Sequence, residues 1–286
     1  MRGRVLTSSY GTYAVEGEGA VYACKPRGIF RLKGEKPIVG DEVEFDPLQL
    51  TIDVLYERKN MLIRPAIANL DQLIIIHSCV EPTYSSRLID KFLTYANLSG
   101  IPATVILSKI DKVVDRTEIE KQKKSFAKLG VHVIFFSKTT GEGIPEIETL
   151  FKGKITGLMG QTGVGKSSLM NTLVPAYQRK IGDYSRALGR GKHQTKEVAL
   201  LPYGSGYIAD TPGFSSLELN LVKEEAAKFF PGFPNLATHC KYLDCLHLNE
   251  KECAVKKALA ENIIDQETYD NYLAILAELP YRKERY

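Results

Sequence analysis

The chain has 286 residues, more than one ordinary domain needs, which predicts two or three domains. Hydrophobic residues make up 44% and charged residues 25%, a globular balance, and a net charge of +4 does not by itself indicate a nucleic-acid ligand. No apolar run reaches the length of a membrane helix, and the first residues lack a signal-peptide apolar region. Three of the five cysteines fall between Cys240 and Cys253, which favours a metal site in a reducing compartment. We therefore expect a cytoplasmic protein without a membrane partner.

Residues 1–66 show no helical period, and glycines and prolines separate short stretches of strand composition. The predicted strands are 4–8, 12–15, 20–25, 42–45 and 51–56. Five short strands in this length predict a small closed barrel, with the OB-fold as the first choice and an SH3-like barrel as the alternative. A basic stretch from Lys25 to Lys36 is either a solvated charged face or the RNA-binding surface of that barrel.

Residues 67–218 alternate strands with helices. The predicted strands are 73–76, 103–107, 131–136 and 155–159, and the predicted helices are 86–98, 117–129, 145–151 and 166–173. This alternation predicts an α/β domain with a mostly parallel sheet covered by helices on both faces. Two further strands, 197–202 and 206–210, are expected to form a hairpin around Gly204.

The strongest motif lies between strand 155–159 and helix 166–173. It is the G-x-x-x-x-G-K-S sequence of a phosphate-binding loop, formed by Gly160, Gln161, Thr162, Gly163, Val164, Gly165, Lys166 and Ser167. Glycines allow backbone N–H groups to surround phosphates at a helix N-terminus. We expect Lys166 to reach the β- and γ-phosphates, Ser167 to ligate Mg²⁺, and Ser168 to reach the α-phosphate.

A second motif, at the end of strand 103–107, indicates the base. It consists of Ser108, Lys109, Ile110 and Asp111 and is similar to the N/T-K-x-D motif of GTPases. In that motif the aspartate accepts hydrogen bonds from guanine N1 and N2, and the lysine stem packs along the base. Adenine offers no such donors, so an ATPase is disfavoured. Ser108 replaces the usual Asn or Thr, and its hydroxyl could supply part of the usual contact.

Three further elements belong to the same GTPase set. The sequence after strand 131–136 is similar to the S-A-K motif that presents a backbone N–H to guanine O6; its residues are Ser137, Lys138 and Thr139. Asp210 and Gly213 match the D-x-x-G element, whose aspartate holds Mg²⁺ through water and whose glycine meets the γ-phosphate. Between that element and the phosphate loop, Thr195 is the candidate switch threonine that closes on Mg²⁺ in the GTP state.

The order of these motifs differs from that of an ordinary GTPase, in which the phosphate loop comes first. In this chain the two base motifs precede the phosphate loop, so the order is circularly permuted. Every element still follows a sheet strand, where α/β ligand sites form, and the permutation need not alter the site.

Catalysis lacks one usual residue, because Phe214 occupies the position of the water-orienting glutamine. His193, two residues before Thr195, is the candidate replacement, and a solvated or partner-contacting loop histidine is the alternative. We expect a low intrinsic rate with activation by a partner. Phe214 also leaves open an RNA-binding module in which GTP is mainly a structural ligand.

Residues 219–286 are polar and helical, with predicted helices 224–230, 254–261 and 266–278. They contain a Cys-x₄-Cys-x-His-x₅-Cys cluster: Cys240, Cys245, His247 and Cys253. Four such ligands predict a closed, tetrahedral structural site for one zinc ion, with incidental buried cysteines as the alternative. His239 is adjacent but would overfill the site.

Together, the permuted order, the loop from Arg190 to Thr195, the Asp210 to Phe214 element and the Cys/His cluster resemble the bacterial ribosome small-subunit-dependent GTPase A family, RsgA. The resemblance covers essentially the whole chain. It implies an OB-fold, a permuted GTPase domain and a zinc-binding helical domain, with bounds 1–66, 67–218 and 219–286. It also implies a role in late maturation of the small ribosomal subunit and GTP hydrolysis stimulated by that particle. We expect a monomer that binds this subunit and its rRNA.

The chain departs from the family pattern in two places. One is Ser108, and the other is the loop around Thr195, where Gln194 and Lys196 stand in positions usually richer in threonine. Within this loop, the Mg²⁺ role is therefore assigned to Thr195 alone.

Overall fold

The computed structural model describes residues 1–63, 65–174, 198–210 and 221–281, with the backbone alone for Asp210. These residues form two compact units. The first consists of Met1–Leu73, Ile144–Met159 and the described part of Lys166–Ser215. The second consists of Ile74–Gly143, Gly160–Gly165 and the described part of Ser216–Tyr286. None of the described helices is long and apolar enough to span a membrane.

A five-stranded barrel opens the first unit. Its strands are β1 (Arg2–Ser9), β2 (Thr12–Gly17), β3 (Ala20–Pro26), β4 (Glu42–Asp46) and β5 (Thr51–Leu55). They pair in the order β1-β2-β3-β5-β4, and β4 pairs back to β1, which closes the sheet. Alternate side chains such as Val5, Val15 and Phe45 fill the interior. The OB-fold prediction is confirmed, and all five predicted strands are present. A short helix, α1 (Gly28–Leu32), was not predicted.

The remaining strands are β6 (Met61–Ile63), β7 (Ala66–Ala68), β8 (Gln72–Ser78), β9 (Ala103–Ser108), β10 (His132–Phe136), β11 (Ile155–Met159), β12 (Ala199–Tyr203) and β13 (Gly206–Asp210). In the first unit β11 pairs in parallel with β13, and β13 forms the predicted hairpin with β12. In the second unit the strand order is β10-β9-β8, with β9 and β10 parallel. Strand β8 is buried at every position, as expected for a strand covered on both faces.

The remaining helices are α2 (Ser86–Leu98), α3 (Thr117–Lys128), α4 (Ile144–Phe151), α5 (Lys166–Leu173), α6 (Lys223–Phe229), α7 (Phe233–Ala237), α8 (Ala254–Ala260) and α9 (Gln266–Glu278). Helix α2 begins after Ser85, whose hydroxyl accepts the Leu88 N–H at 3.2 Å. The five-residue helix α7 was not predicted. In the C-terminal region, Phe230, Phe233 and Tyr272 centre an aromatic core.

Candidate nucleotide and metal sites

The two base motifs meet at one edge of the second unit's sheet. Strands β9 and β10 are parallel, with Ser108 opposite Phe136, so both motifs leave the sheet at the same edge. The Ser137 hydroxyl hydrogen-bonds to the Asp111 carboxylate, and this bond is the main cause that lowers the pKa of Asp111. Ser137 Oγ also accepts the N–H groups of Thr139 and Thr140, each at 3.1 Å. Asp111 itself is exposed, so it presents a fixed anionic acceptor to solvent.

Ser108 joins the base motif to the phosphate loop. Its buried hydroxyl donates to the carbonyl oxygen of Val164 at 2.5 Å. The next residue, Lys109, has a left-handed backbone with φ 59°, and its ammonium donates to the carbonyl of Glu81. Sequence alone left the role of Ser108 open, because the acceptor lies 56 positions away in the chain.

The phosphate loop follows β11 and leads directly into α5. Gly160 and Gly165 have φ values of 143° and 103°, which favour glycine. A Cβ on Gly160 would lie 2.2 Å from the Ile76 carbonyl oxygen, so a larger residue cannot fit there. Val164 is fully buried and anchors the loop.

Lys166 begins α5, and burial lowers its pKa from 10.5 to about 8. A phosphate group beside it would favour the charged form. Around it in the loop and helix, Thr162, Gly163 and Ser167 are exposed, whereas Gln161 and Ser168 are half-buried.

Asp210 ends β13, the parallel neighbour of β11. Strands β11 and β13 therefore end at the same edge of the first unit's sheet. The other residues of this half of the site, Gly213, His193 and Thr195, lie outside the described residues. Within the two base motifs, Ile110 is buried and Lys138 is exposed.

The cluster of three cysteines and one histidine forms a compact donor set. Its ligand atoms, from Cys240, Cys245, His247 and Cys253, all lie within 4.8 Å of one another. Cys240 Sγ is 3.9 Å from Cys253 Sγ and 3.6 Å from His247 Nδ1, and His247 Nδ1 is 3.3 Å from Cys253 Sγ. Tetrahedral zinc with ordinary bond lengths requires S···S of about 3.8 Å and S···N of about 3.5 Å. The donors therefore fit a tetrahedral ion.

Neighbouring groups orient this donor set. His247 Nε2 donates to the carbonyl of Ala227 at 2.9 Å, which leaves Nδ1 as the ligand atom. Tyr269 donates its hydroxyl to the His247 carbonyl at 2.6 Å. Burial raises the pKa of Cys245 to about 12 and also raises that of Cys253, so a cation is needed to hold the thiolates. Neither the Ala227 carbonyl nor the tyrosine carries a recognisable sequence pattern, and both were missed from sequence.

Five basic residues between positions 25 and 36 lie at the surface of the barrel, around α1. All five are exposed: Lys25, Arg27, Arg31, Lys33 and Lys36. Ile29 and Leu32 on the same helix are also exposed, at 51% and 88%. The stretch is therefore available to a polyanionic partner.

Solved structures define the class of protein. YjeQ from Thermotoga maritima has a TM-score of 0.84 and 33% identity, with 99% of each chain covered. YloQ, described as a circularly permuted GTPase, has a TM-score of 0.80 and 33% identity, with 100% of this chain and 96% of that chain covered. With the permuted motifs, this similarity makes the chain a circularly permuted P-loop GTPase with a barrel and a C-terminal helical domain.

Sequence comparisons identify the family. The profile of the RsgA GTPase matches residues 55–220, and that of the RsgA N-terminal domain matches residues 2–51. Two curated relatives, both named small ribosomal subunit biogenesis GTPase RsgA, come from Geobacillus sp. (strain WCH70) and Streptococcus mutans. Each is 41% identical over 290 residues; the first match covers 99% of both chains, and the second covers 100% of this chain and 98% of the relative. The chain belongs to the RsgA GTPase family and is a GTP hydrolase.

Proposed function

We propose that this GTPase assists the late maturation of the small ribosomal subunit, binds that particle and its rRNA, and hydrolyses GTP to GDP and phosphate when the particle stimulates it. The observation that carries the proposal is the pair of contacts Asp111–Ser137 and Ser108–Val164, which assemble a guanine motif beside a phosphate loop. Two relatives that are 41% identical to this chain are named for biogenesis of the small ribosomal subunit. The protein acts in the cytoplasm as a monomer.

In this proposal Asp111 accepts from guanine N1 and N2, and the Lys109 stem packs along the base. Ser108 acts on the base indirectly, since its hydroxyl is already engaged by the phosphate loop. The backbone after Ser137 presents an N–H to guanine O6. The loop Gly160–Gly165 surrounds the phosphates, and Lys166 pairs with the β- and γ-phosphates.

Mg²⁺ bound with GTP supplies neutralisation of charge on the β- and γ-phosphates. Ser167, Thr195 and Asp210 would hold it, and Gly213 would meet the γ-phosphate. His193 would orient the attacking water once the particle is bound, because Phe214 cannot. His193→Ala should abolish most of the stimulated rate and leave GTP affinity and particle binding intact; full stimulation in this variant would assign the catalytic group elsewhere.

The Cys/His cluster is proposed to hold one structural zinc ion per chain. Three thiolates and one imidazole leave no open coordination position, so zinc supports the fold of the C-terminal helices and takes no part in hydrolysis. The exposed basic stretch around α1 is proposed to contact rRNA phosphates.

The direct test measures multiple-turnover GTP hydrolysis alone, with purified small subunits and with purified large subunits. We expect stimulation by small subunits only. The second candidate, an RNA-binding module with GTP as a mainly structural ligand, is favoured by Phe214. It would bind small subunits in a GTP-dependent manner without any increase in turnover.

A further inference from the structure

Three buried side-chain atoms stand out among the described residues because no protein group hydrogen-bonds to them: His77 Nε2, Tyr84 OH and Asp90 Oδ1. Buried polar atoms almost always have a partner, so such a group requires an explanation. His77 is 1% exposed and Asp90 is 2% exposed. All three residues belong to the second unit.

Tyr84 is a neighbour of both His77 and Asp90. The rings of His77 and Tyr84 meet edge-on, with centroids 5.6 Å apart. Burial, followed by the nearby Asp90 carboxylate, raises the pKa of Tyr84. A shared location suggests a shared partner.

The protonation of these groups determines which hydrogen bonds a shared partner must donate and accept. His77 Nδ1 donates to the Ser78 carbonyl at 2.9 Å, so Nε2 is an acceptor. Asp90 Oδ2 accepts from Asn271 Nδ2 at 2.8 Å. Burial raises the pKa of Asp90 to about 8, so at neutral pH Oδ1 carries a proton and donates. The site therefore offers one acceptor, one donor and one hydroxyl, and water can satisfy all three.

The chain segment that follows His77 contacts the base motif. Ser78 Oγ accepts hydrogen bonds from the N–H groups of Val80 and Glu81. The Glu81 carbonyl in turn accepts a hydrogen bond from the Lys109 ammonium. The Cys79 N–H donates to the Ser108 carbonyl at 2.9 Å. Residues 78–85 thus connect β8 to α2 beside the base motif, with Tyr84 near their far end.

We propose that an internal water joins His77 Nε2, Tyr84 OH and Asp90 Oδ1, and that this centre positions residues 78–85 so that the Glu81 carbonyl holds Lys109 for guanine binding. Tyr84 and Asp90 are then positioning residues for the nucleotide site. The inference rests on the proposed function, since it takes the Lys109 and Asp111 motif as the guanine site.

Tyr84→Phe tests the proposal by the sign of its effect on stability. If the hydroxyl had no partner, its deletion would remove a desolvation penalty and raise the melting temperature. If water bridges it, deletion should lower the melting temperature by a few degrees and weaken GDP binding about fivefold. Tyr13→Phe is the matched control, because it deletes the hydroxyl of a buried barrel tyrosine that is hydrogen-bonded to Ser8. It should lower the melting temperature without changing GDP affinity.

Asp90→Asn provides a second measurement, since its amide can donate where the protonated carboxyl did. GDP affinity should stay within about twofold of the parent, which is a smaller change than the loss of one hydrogen bond would cause. A Tyr84→Phe protein that is more stable, or that binds GDP like the parent, overturns the inference. So does an Asp90→Asn protein that loses as much affinity as we expect for Tyr84→Phe. Asp111→Asn separates the two claims: if it binds GDP normally, the proposed guanine site itself is wrong.

Discussion

The Cys/His cluster and the proposed guanine site lie in the same compact unit but are built in different ways. Cys240 and Cys253 are 13 positions apart, and most of the cluster is buried. Ser108 and Val164 are 56 positions apart, and Asp111 is exposed. The cluster is thus a local donor set whose buried thiolates are expected to require a metal ion, whereas the proposed guanine site is assembled by contacts between sheet strands and the loops that follow them. Substitutions in the cluster should therefore unfold a region, whereas substitutions in the guanine site should mainly weaken nucleotide binding with the fold retained.

The largest effect is expected from Cys240→Ala. Structural zinc contributes an apparent binding free energy on the order of 10 kcal/mol, which the C-terminal helices would lose. Metal analysis should fall from about one zinc per chain to none, and hydrogen exchange should show loss of protection in α6 to α9. His239→Ala is the control, since this exposed histidine lies outside the cluster. Freshly prepared, chelator-free parent protein without zinc would contradict the assignment.

Asp111→Asn should have the next largest effect, with the fold retained. The carboxylate is expected to accept two hydrogen bonds from guanine, so GTP should bind about a hundredfold more weakly. Xanthosine triphosphate should recover much of that loss, because the amide now donates to the base. Asp115→Asn is the matched control: hydrogen bonds with Thr117 lower the pKa of this aspartate too, but it lies outside the motif. Titration with fluorescent nucleotides measures both, and parental GTP affinity would remove Asp111 from the site.

The lowered pKa of Lys166 predicts a pH dependence of nucleotide affinity that does not involve the Cys/His cluster. Its pKa in the free protein is about 8, and only the charged form attracts phosphate. Nucleotide binding above pH 8 must therefore take up a proton, so affinity should be constant with respect to this group below pH 8. Above pH 8 it should fall by about tenfold per pH unit. Isothermal titration of GDP between pH 7 and 9, where guanine N1 stays mostly protonated, measures this slope. Lys166→Met should bind weakly with a flat profile, and a flat parental profile would contradict the assignment.

The same contrast explains which features could be predicted from sequence. Helices α2 and α9 have the bounds expected from their apolar spacing, and the five barrel strands follow from β composition separated by glycine and proline. Helices α1 and α7 were missed because five residues are too few to show a helical period. The domain bounds 1–66, 67–218 and 219–286 stay a prediction.

The candidate site residues show the same difference between local sequence patterns and contacts made only in the folded chain. The metal ligands could be proposed from sequence because their spacing is local, and the nucleotide residues because their motifs are recurrent. The Ser108–Val164 bond and the His77, Tyr84 and Asp90 group were missed, because each depends on tertiary proximity of segments that have no shared pattern.

Ser108→Ala should have the smallest effect, and it tests whether the guanine site is assembled by tertiary contacts. The substitution removes one neutral hydrogen bond and leaves the buried Val164 carbonyl without its donor, which is worth about 1 kcal/mol, or about fivefold in nucleotide affinity. Ser99→Ala is the matched control, since its hydroxyl also donates to a backbone carbonyl, that of Tyr95 at 2.8 Å, at the end of α2. Both variants should lose similar stability, but only Ser108→Ala should weaken GDP binding. Ser108→Asn, which restores the usual residue of the motif, should bind GDP at least as tightly as Ser108→Ala, because its amide can donate to the same carbonyl. Equal GDP affinity in the parent and Ser108→Ala would mean that the phosphate loop keeps its geometry without the serine, and that the base and phosphate parts of the site are independent.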